Sequence, residues 1–250
     1  RASYTKPYDV HRRHTFLDRV SQLVSANCDA NIFYMDKAKE FWNKTKFDMS
    51  KVFIAINTTA VEKIAIVPDM KKDLLFIGTL YKAKGVDRLL KAYKEAKIRC
   101  PSVPILHIVG KGEEEMELRQ YVDDNGLSDY VVFHGSIYDE CELSKLYQKS
   151  ILCVSPHQAG LSVAKSLGYG VPFVTREDAI TGGEKYHITN GENGILYNSD
   201  EELVNIIIDV IENPDKYIEM GYRAKQYYDN NATPHHMAQG FIDAITFVLS

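Results

Sequence analysis

Short apolar runs alternate with longer amphipathic stretches along most of this sequence, and this alternation constrains the fold more than any other feature. Runs such as residues 74–77 and 151–154 have the length of a buried strand, whereas residues 86–99 repeat apolar side chains at helical spacing. Strands that alternate with helices of about 10–15 residues form a parallel sheet with helices on both faces. The sequence therefore predicts a doubly wound, Rossmann-like α/β domain.

The same patterns predict the individual elements and a break between two parts of the chain. Strands are predicted at residues 31–35, 52–56, 74–77, 105–109, 130–133, 151–154, 172–174 and 195–197, and helices at 36–46, 86–99, 113–125, 139–149, 161–169, 200–212, 214–229 and 234–249. Residues 57–72 show no clear period and contain Pro68, which is typical of a linker. A strand–helix–strand unit is therefore expected before the linker and a larger α/β unit after it.

The composition is that of an ordinary globular enzyme. Of the 250 residues, 45% are hydrophobic and 26% are charged, and 30 basic against 34 acidic side chains leave a net charge of −4. These values exclude a disordered or collagen-like chain. A pI of about 6.1 argues against a general nucleic-acid binder, which would normally carry a basic stripe. No stretch approaches the roughly 18 consecutive apolar residues of a membrane span.

The cysteines indicate neither disulfides nor a metal site. They are Cys28, Cys100, Cys141 and Cys153, without a Cys-x-x-Cys pair or a nearby histidine at zinc spacing. Reduced thiols predict a cytoplasmic compartment, and no apolar leader of a signal peptide follows the first residue. Because that residue is Arg1 and not methionine, we expect the chain to be a fragment or a domain of a longer protein.

Glycines follow most of the predicted strands of the larger unit. They are Gly78, Gly110, Gly112, Gly135, Gly160, Gly182 and Gly183. A single glycine here only ends a strand, but the carboxyl ends of parallel strands share one edge of the sheet, where ligands bind. Glycine also lets the backbone approach a ligand closely. The set therefore predicts a ligand cleft at this edge.

The glycine pair Gly110 and Gly112 does not predict a dinucleotide cofactor. The third glycine of the dinucleotide fingerprint is absent, and the acidic run at 113–115 would repel a pyrophosphate from the start of the following helix. No G-x-x-x-x-G-K-[ST] motif is present either. We therefore expect neither bound NAD nor a P-loop.

A diphosphate suits another part of the same edge. Gly160, Leu161 and Ser162 open a predicted helix that has no acidic residue in its first turn, and Lys165 lies one turn further along. Lys84 follows the first strand of the larger unit. Each lysine alone is more often a solvated surface charge. Together with the helix start they favour a diphosphate site that needs no metal.

Six sequence blocks, in this order and spacing, resemble a known family. They read FIGTLYKAKGVDRLL (76–90), IVGKG (108–112), VFHG (132–135), SPHQAGL (155–161), GVPFVT (170–175) and GGE with GENGIL (182–184 and 191–196). The blocks are similar to the donor-binding lobe of retaining nucleotide-sugar glycosyltransferases with two Rossmann lobes, the GT-B architecture of group 1. The resemblance covers about residues 51–250.

The resemblance implies a division of the chain into three parts. Residues 1–70 would be the remainder of the acceptor lobe with the interlobe linker, 71–230 the donor lobe, and 231–250 a helix that crosses back onto the first lobe. Most of the acceptor lobe, and with it the acceptor-contacting residues, would then lie upstream of Arg1.

The resemblance also implies a role for each matching position. The positions are Lys84, Gly78, Thr79, Gly160, Leu161 and Ser162 near the diphosphate, Gly110, Gly112, His134 and Gly135 near the nucleotide base, His157 and Gln158 facing the transferred sugar, and Glu184 in the loop that closes the cleft. No metal and no cofactor besides the donor substrate is implied.

The sequence departs from the family at its two glutamates, which are separated by seven residues. The matching positions hold His157 and Lys165. The second glutamate ordinarily accepts hydrogen bonds from ribose hydroxyls, and a lysine has no lone pair with which to do so. Lys165 would bind phosphate instead, which compensates for Thr79 at a position that is usually basic. We expect a variant with rearranged charges, in which Lys84, His157, Gln158 and Lys165 carry the reaction.

The function implied by the resemblance is transfer of a hexose-type sugar from a nucleoside diphosphate sugar to an acceptor hydroxyl, with retention. The acceptor would be a glycan or a lipid-linked glycan in surface polysaccharide assembly at the inner face of the cell membrane. The basic side chains Arg1, Lys6, Arg12 and Arg13 either form a solvated surface or contact anionic lipid in a peripheral manner.

Two alternatives stay open. A module that binds nucleotide sugar without catalysis is favoured by the missing carboxylates and opposed by the intact blocks around Lys84 and Gly160. A sugar-nucleotide epimerase on the same architecture would need its own acid–base pair, and the sequence shows no such carboxylate–histidine set.

Overall fold

The computed structural model describes residues 16–42 and 48–250, and six of its strands form one sheet. The strands are β1 (Asn31–Phe33), β2 (Val52–Ile54), β3 (Asp73–Ile77), β4 (Leu106–Val109), β5 (Val131–Gly135), β6 (Ser150–Val154), β7 (Gln158–Ala159), β8 (Phe173–Arg176), β9 (Ile180–Thr181) and β10 (Gly194–Tyr197). The α-helices are α1 (Phe16–Ala26), α2 (Lys37–Trp42), α3 (Val86–Arg99), α4 (Glu115–Asp124), α5 (Glu140–Lys149), α6 (Ser162–Gly168), α7 (Asp200–Glu212), α8 (Pro214–Asn231) and α9 (Pro234–Leu249).

The order of the strands opens a crevice at one edge of the main sheet. The order is β5-β4-β3-β6-β8-β10, and every neighbouring pair is parallel. The chain builds outward from β3 to β5, returns to the other side of β3, and then builds outward from β6 to β10. The connections after β3 and β6 therefore diverge, which leaves a crevice at the carboxyl ends of these two strands. The predicted doubly wound α/β fold is confirmed.

Helices cover both faces of this sheet, so the inner strands are buried on both sides. In β3, Leu74 and Phe76 belong to one core and Leu75 to the other, and none of the three is exposed. Helices α3, α4 and α7 supply most of the helical part of the first core, and α5, α6 and α8 that of the second. Parallel strands of this kind are continuous apolar runs, which is the pattern in the sequence.

A smaller unit precedes the main sheet. Its strands β1 and β2 pair in parallel, and α2 connects them along the chain. The last helix, α9, packs against both strands. The approach is close, since a Cβ atom on Gly240 would lie 2.0 Å from the carbonyl oxygen of Ile54. The rings of Phe53 and Phe247 are 5.3 Å apart. The last helix therefore ties the smaller unit to the end of the chain.

The predicted linker is packed closely against the larger unit. A Cβ atom on Gly168 would lie 2.8 Å from Val61, and one on Gly170 would lie 2.4 Å from Ile66. The hydroxyl of Tyr228 donates a hydrogen bond to the carbonyl oxygen of Thr59, in the linker, at 2.6 Å. Single side chains make these contacts, and not one continuous face of a helix or strand. This explains why the linker sequence shows no hydrophobic periodicity. The three-part division at residues 70 and 230 stays a prediction.

The structure adds elements that the pattern did not predict. Helix α1 was missed, and several of its apolar side chains, such as Phe16 and Leu17, are exposed. Strands β7 and β9 have two residues each and are too short to show a pattern. The end of the helix predicted at 36–46 lies outside the described residues. So do the basic side chains Arg1, Lys6, Arg12 and Arg13.

No helix within residues 16–42 and 48–250 is long and apolar enough to cross a membrane.

A buried lysine closes the carboxyl end of α5. Lys71 is 4% exposed, and its Nζ donates to the carbonyl oxygens of Tyr147 at 3.2 Å and Ser150 at 3.1 Å. A cation at this end of a helix is favoured by the unpaired carbonyl groups. Burial nevertheless lowers the pKa of Lys71 to about 8, because the charged form loses its hydration.

This lysine predicts a rise of stability at alkaline pH. Between about pH 8 and pH 10.5 the folded chain has released the Lys71 proton while the unfolded chain retains it, so the free energy of unfolding rises with pH. Over this pH interval we expect the free energy of unfolding of the wild type to rise by on the order of 3 kcal/mol more than that of Lys71→Met. Urea unfolding at a series of pH values measures this difference. Lys72→Met, at an exposed neighbour, is the control, and parallel profiles for wild type and Lys71→Met would contradict the prediction.

Candidate active site

A cavity of about 600 Å³ lies at the carboxyl edge of the main sheet, beside the crevice between β3 and β6. We call it the Lys84 cavity. Its lining residues are Asn57, Thr59, Ile77, Gly78, Thr79, Tyr81, Lys84, Gln158, Gly160, Leu161, Ser162, Lys165 and Glu184. Nine of these are site residues that the sequence predicted. A volume of this size accommodates a small organic ligand.

The cation of the cavity is Lys84. It ends a short 3₁₀ helix after β3, and its side chain passes Gly78, where a Cβ atom would lie 3.3 Å from its Cε. Its ammonium has no hydrogen bond or ion pair within the part of the chain that the structure describes. Burial lowers the pKa of Lys84, and the charge of Glu184 opposes this shift. A half-buried ammonium without a protein partner favours an anionic ligand.

Glu184 is held in the wall of the cavity by three hydrogen bonds. The side chain is 5% exposed. One carboxylate oxygen accepts a hydrogen bond from Nδ2 of Asn57 at 2.8 Å, and the other accepts from the Gly182 amide at 2.9 Å and the Thr181 hydroxyl at 3.1 Å. These three donors fix the orientation of the carboxylate. Glu184 therefore brings a fixed negative charge to the wall of the cavity.

The linker contributes residues that the sequence analysis missed. Asn57 and Thr59 line the cavity, and Asn57 also orients Glu184. Both lie in the aperiodic segment between the two units, where no pattern marked them. Tyr81 was missed as well, although it lies inside the first sequence block of the resemblance, between Gly78 and Lys84.

Tyr81 determines which atoms Gln158 presents to the cavity. The Tyr81 hydroxyl donates a hydrogen bond to Oε1 of Gln158. Gln158 lies in β7, which pairs with β9 and is thereby held beside the cavity. Because Oε1 is engaged, the Nε2 group supplies the remaining hydrogen-bonding capacity of this side chain, and it is a donor. Gln158 can therefore bind an oxygen of a ligand.

Lys165 lines the cavity but already has an anionic partner. Its Nζ lies 2.7 Å from Oε2 of Glu140, at the start of α5, and its side chain is 19% exposed. The hydroxyl of Tyr169 donates to the other oxygen of the same carboxylate. Glu140 compensates for most of the positive charge at position 165. Lys84, and not Lys165, is therefore the dominant cation of this cavity.

The helix start next to Lys165 is a weaker feature than the sequence suggested. α6 begins at Ser162 without a side-chain cap and without an acidic residue in its first turn. It has only seven residues, so the sum of its peptide dipoles is small. Gly160 and Leu161 bring backbone to the wall of the cavity, and their amides add to the effect of Lys84.

Three predicted site residues, His157, Gly110 and Gly112, do not line this cavity. The ring of His157 lies against Gly85, where a Cβ atom would be 3.0 Å from its Cγ. Burial and the nearby cation Arg88 lower the pKa of His157. Cβ atoms on Gly110 and Gly112 would lie 1.9 Å and 2.2 Å from backbone oxygens of the loop after β3. These two glycines therefore permit close packing of neighbouring loops.

His134 and Gly135 also lie away from the cavity wall. The Nε2 atom of His134 is 2.9 Å from Nδ1 of His107, whose Nε2 is 3.2 Å from a carboxylate oxygen of Asp73. Burial and the neighbouring His107 lower the pKa of His134. A Cβ atom on Gly135 would be 3.2 Å from Lys111. The structure places this pair on the β5 side of the same sheet edge.

Metal ligands do not cluster in the described chain. Between residues 16 and 42 and from 48 to 250, no three His, Cys, Asp or Glu side chains are grouped so that they could hold a metal ion.

Solved structures with the same fold include two proteins crystallised with UDP. The chain is similar to S. aureus TarM, recorded in complex with Fondaparinux, alpha-GlcNAc-glycerol and UDP, with a TM-score of 0.73 and 17% identity over 91% of this chain and 46% of that chain. It is also similar to Anabaena HepE, recorded with UDP and glucose, with a TM-score of 0.68 and 18% identity over 91% of this chain and 66% of that chain. At these identities the likeness concerns the fold.

Curated relatives are similar over much of this chain. An uncharacterized glycosyltransferase of Haemophilus influenzae is 29% identical over 209 residues, which is 81% of this chain and 57% of that protein. The alpha-monoglucosyldiacylglycerol synthase of Acholeplasma laidlawii is 24% identical over 144 residues, which is 56% of this chain and 35% of that protein. The first of these relatives is matched over little more than half of its length.

A family model agrees with the fold and with these relatives. Residues 58–227 match the model described as "Glycosyl transferases group 1". The match begins in the linker, at the residue after Asn57, and includes all six strands of the main sheet. The chain therefore belongs to the group 1 glycosyl transferases.

Proposed function

We propose that this protein transfers a sugar from a nucleoside diphosphate sugar to an acceptor hydroxyl, with retention at the anomeric carbon. The observation that carries the proposal is the Lys84 ammonium, half-buried and without a partner in residues 16–42 and 48–250, in a cavity at the carboxyl edge of the sheet. Membership of the group 1 family and the complexes of TarM and HepE with UDP support it.

Charge neutralisation is the main task of the residues in this site. When the bond from the sugar to the diphosphate breaks, negative charge grows on the leaving phosphate. Lys84 supplies a positioned positive charge, and the backbone at Gly160 and Leu161 adds hydrogen-bond donors. The acceptor oxygen bonds to the anomeric carbon on the face that the phosphate leaves, and the leaving phosphate takes the proton of that hydroxyl, so no separate general base is required among the described residues.

The sugar lies on the side of Gln158 and Glu184. The Gln158 Nε2 group donates to a sugar oxygen because Tyr81 engages Oε1. The Glu184 carboxylate, held by Asn57, accepts from a sugar hydroxyl while it limits the net charge around Lys84. The two side chains together supply the donor and the acceptor that a polyhydroxylated ring needs.

The proposed acceptor is a glycan or a lipid-linked glycan. The name of the Acholeplasma laidlawii relative describes glucosylation of a diacylglycerol lipid, and the TarM complex contains a glycerol glycoside. By analogy we place this chain in the assembly of a surface polysaccharide or a lipid-linked glycan at the inner face of the cell membrane.

Replacing Lys84 with alanine should weaken binding of the nucleoside diphosphate by roughly tenfold to a hundredfold, because the charge-assisted contact to phosphate is lost. Thermal unfolding with UDP, GDP and ADP measures the effect, since a ligand at 100 times its dissociation constant adds about 2.7 kcal/mol of stability. Lys82→Ala removes an exposed lysine of the same short helix, and we expect it to respond like wild type.

Two results would contradict the proposal. One is an equal response of wild type and Lys84→Ala, and the other is no response of wild type to any of the three nucleotides. Release of sugar from a nucleoside diphosphate sugar by the full-length protein, lost in Lys84→Ala, separates transfer from a module that only binds the donor. Nucleotide binding without any such release would favour the binding module.

The Glu140–Lys165 pair leads to a second prediction. Glu140→Gln removes the charge that compensates Lys165, while the amide keeps the oxygen that accepts from Tyr169. We therefore expect this variant to bind the nucleoside diphosphate roughly threefold more tightly than wild type. Titration calorimetry measures the affinity, and Glu142→Gln on the exposed side of the same helix turn is the control. Weaker binding by Glu140→Gln would show that Lys165 does not act on the phosphate.

A further inference from the structure

A second cleft lies on the other side of the segment that holds Glu184. Its volume is about 390 Å³, and we call it the Tyr34 cleft. Its lining residues are Tyr34, Met35, Asp36, Lys37, Glu40, Ile56, Gly183, Tyr186, His187, Ile188 and Tyr227. They come from the turn after β1, from α2, from the segment after β9 and from α8. The cleft therefore joins the smaller unit to the larger one.

The charges around this cleft compensate one another. The Lys37 ammonium lies 2.6 Å from Glu40, and the Asp36 carboxylate lies 2.9 Å from the ammonium of Lys39. In the Lys84 cavity, by contrast, the ammonium has no such partner among the described residues. A site whose charges are already paired does not call for a charged ligand. The Tyr34 cleft therefore suits a neutral, polar ligand.

Tyrosines supply much of the remaining surface. Tyr34 is 54% exposed, and Tyr186 and Tyr227 are half-buried. An aromatic ring offers an apolar face to the C–H groups of a sugar, while its hydroxyl and the nearby carboxylates can hydrogen-bond to sugar hydroxyls. A few polar groups placed among aromatic side chains are typical of a small-molecule site. This combination fits a sugar ring.

A buried histidine orients one of these tyrosines. His187 is 3% exposed, and burial lowers its pKa. Its Nε2 is 2.9 Å from the carbonyl oxygen of Asn57, which can only accept, so Nε2 carries the proton. In the neutral ring Nδ1 is then an acceptor, and the Tyr227 hydroxyl donates to it at 3.2 Å. The lone pairs of the Tyr227 oxygen stay available to a ligand hydroxyl.

The same hydrogen bonds connect the cleft to the Lys84 cavity. The Tyr227 hydroxyl donates to His187, and His187 donates to the backbone carbonyl of Asn57. The side-chain amide of Asn57 in turn donates to the carboxylate of Glu184. Asn57 and Glu184 line the Lys84 cavity, whereas Gly183 and His187 line the Tyr34 cleft. The segment that contains Gly183, Glu184 and His187 therefore borders both ligand-sized spaces.

We propose that the Tyr34 cleft binds an uncharged sugar residue of the acceptor glycan. The inference rests on the proposed glycosyl transfer. The cleft and the Lys84 cavity have no lining residue in common, so the sugar held in the cleft is a residue of the acceptor glycan other than the one that receives the transferred sugar. The inference assigns part of the acceptor site to this chain, whereas the sequence analysis expected all acceptor contacts upstream of Arg1.

The test measures binding of methyl glycosides to the 250-residue chain by saturation-transfer NMR. The probes are the methyl glycosides of glucose, galactose, mannose and N-acetylglucosamine, with methyl glucuronide as the charged counterpart of the glucoside. We expect at least one neutral glycoside to bind, and to bind better than the glucuronide. Tyr34→Ala should weaken this binding roughly tenfold, and Tyr227→Phe should also weaken it.

Matched variants separate the cleft from the rest of the protein. Tyr138→Ala removes a tyrosine that is 91% exposed and does not line the cleft, and it should bind glycosides like wild type. Tyr34→Ala should keep the wild-type thermal response to UDP, which also shows that it folds. Lys84→Ala should lose the nucleotide response and keep glycoside binding.

The possible failures are distinguishable. If a nucleotide stabilises the chain but no neutral glycoside binds, or if binding is unchanged in both tyrosine variants, the cleft proposal is wrong. Binding of the glucuronide alone would overturn it as well. If glycosides bind in the expected manner and no nucleotide does, the cleft stands and the proposed transfer reaction is wrong.

Discussion

A parallel sheet buried on both faces leaves its strand ends as the places where polar groups can gather, and this constraint organises the whole protein. Leu74, Leu75 and Phe76 fill two separate cores, so the middle of β3 presents no polar side chain on either face. The loops after β3, β6 and β8 therefore carry the charged and hydrogen-bonding residues. All of them emerge at the carboxyl edge, since every strand of the main sheet runs in the same direction.

The balance of charge at this edge distinguishes the two spaces found there. Lys84 has no ion-pair partner in the described part of the chain, and the negative charge of Glu184 in the same cavity wall acts on it. Lys165 is paired with the carboxylate of Glu140 in α5. In the Tyr34 cleft, Lys37 is paired with Glu40 of its own helix. An uncompensated, half-buried cation costs desolvation free energy that an anionic ligand can offset. A charge that is already paired needs no further counter-ion, so a neutral ligand suffices there.

The linker is a structural part of both spaces and more than a connection. Asn57 lines the Lys84 cavity and accepts the hydrogen bond of His187, whose ring lines the Tyr34 cleft. Nothing in the sequence marked this residue, because an aperiodic segment carries no pattern of burial. No local pattern marked Tyr81 either, because its role depends on where β7 places Gln158.

The sequence by itself determined the fold class, the order of the six strands of the main sheet with their connecting helices, and most of the residues around the Lys84 cavity. Continuous apolar runs, helical periods and glycines after strands are local signals, and the topology that they specify brings strand ends together. Only the tertiary structure decided how the charges pair. Glu140 lies 25 residues before Lys165, and no local rule links the two positions. Likewise, Gly110 and Gly112 permit close packing of loops and do not line the cavity, because electrostatic and steric partners are set by distances in space and not along the chain.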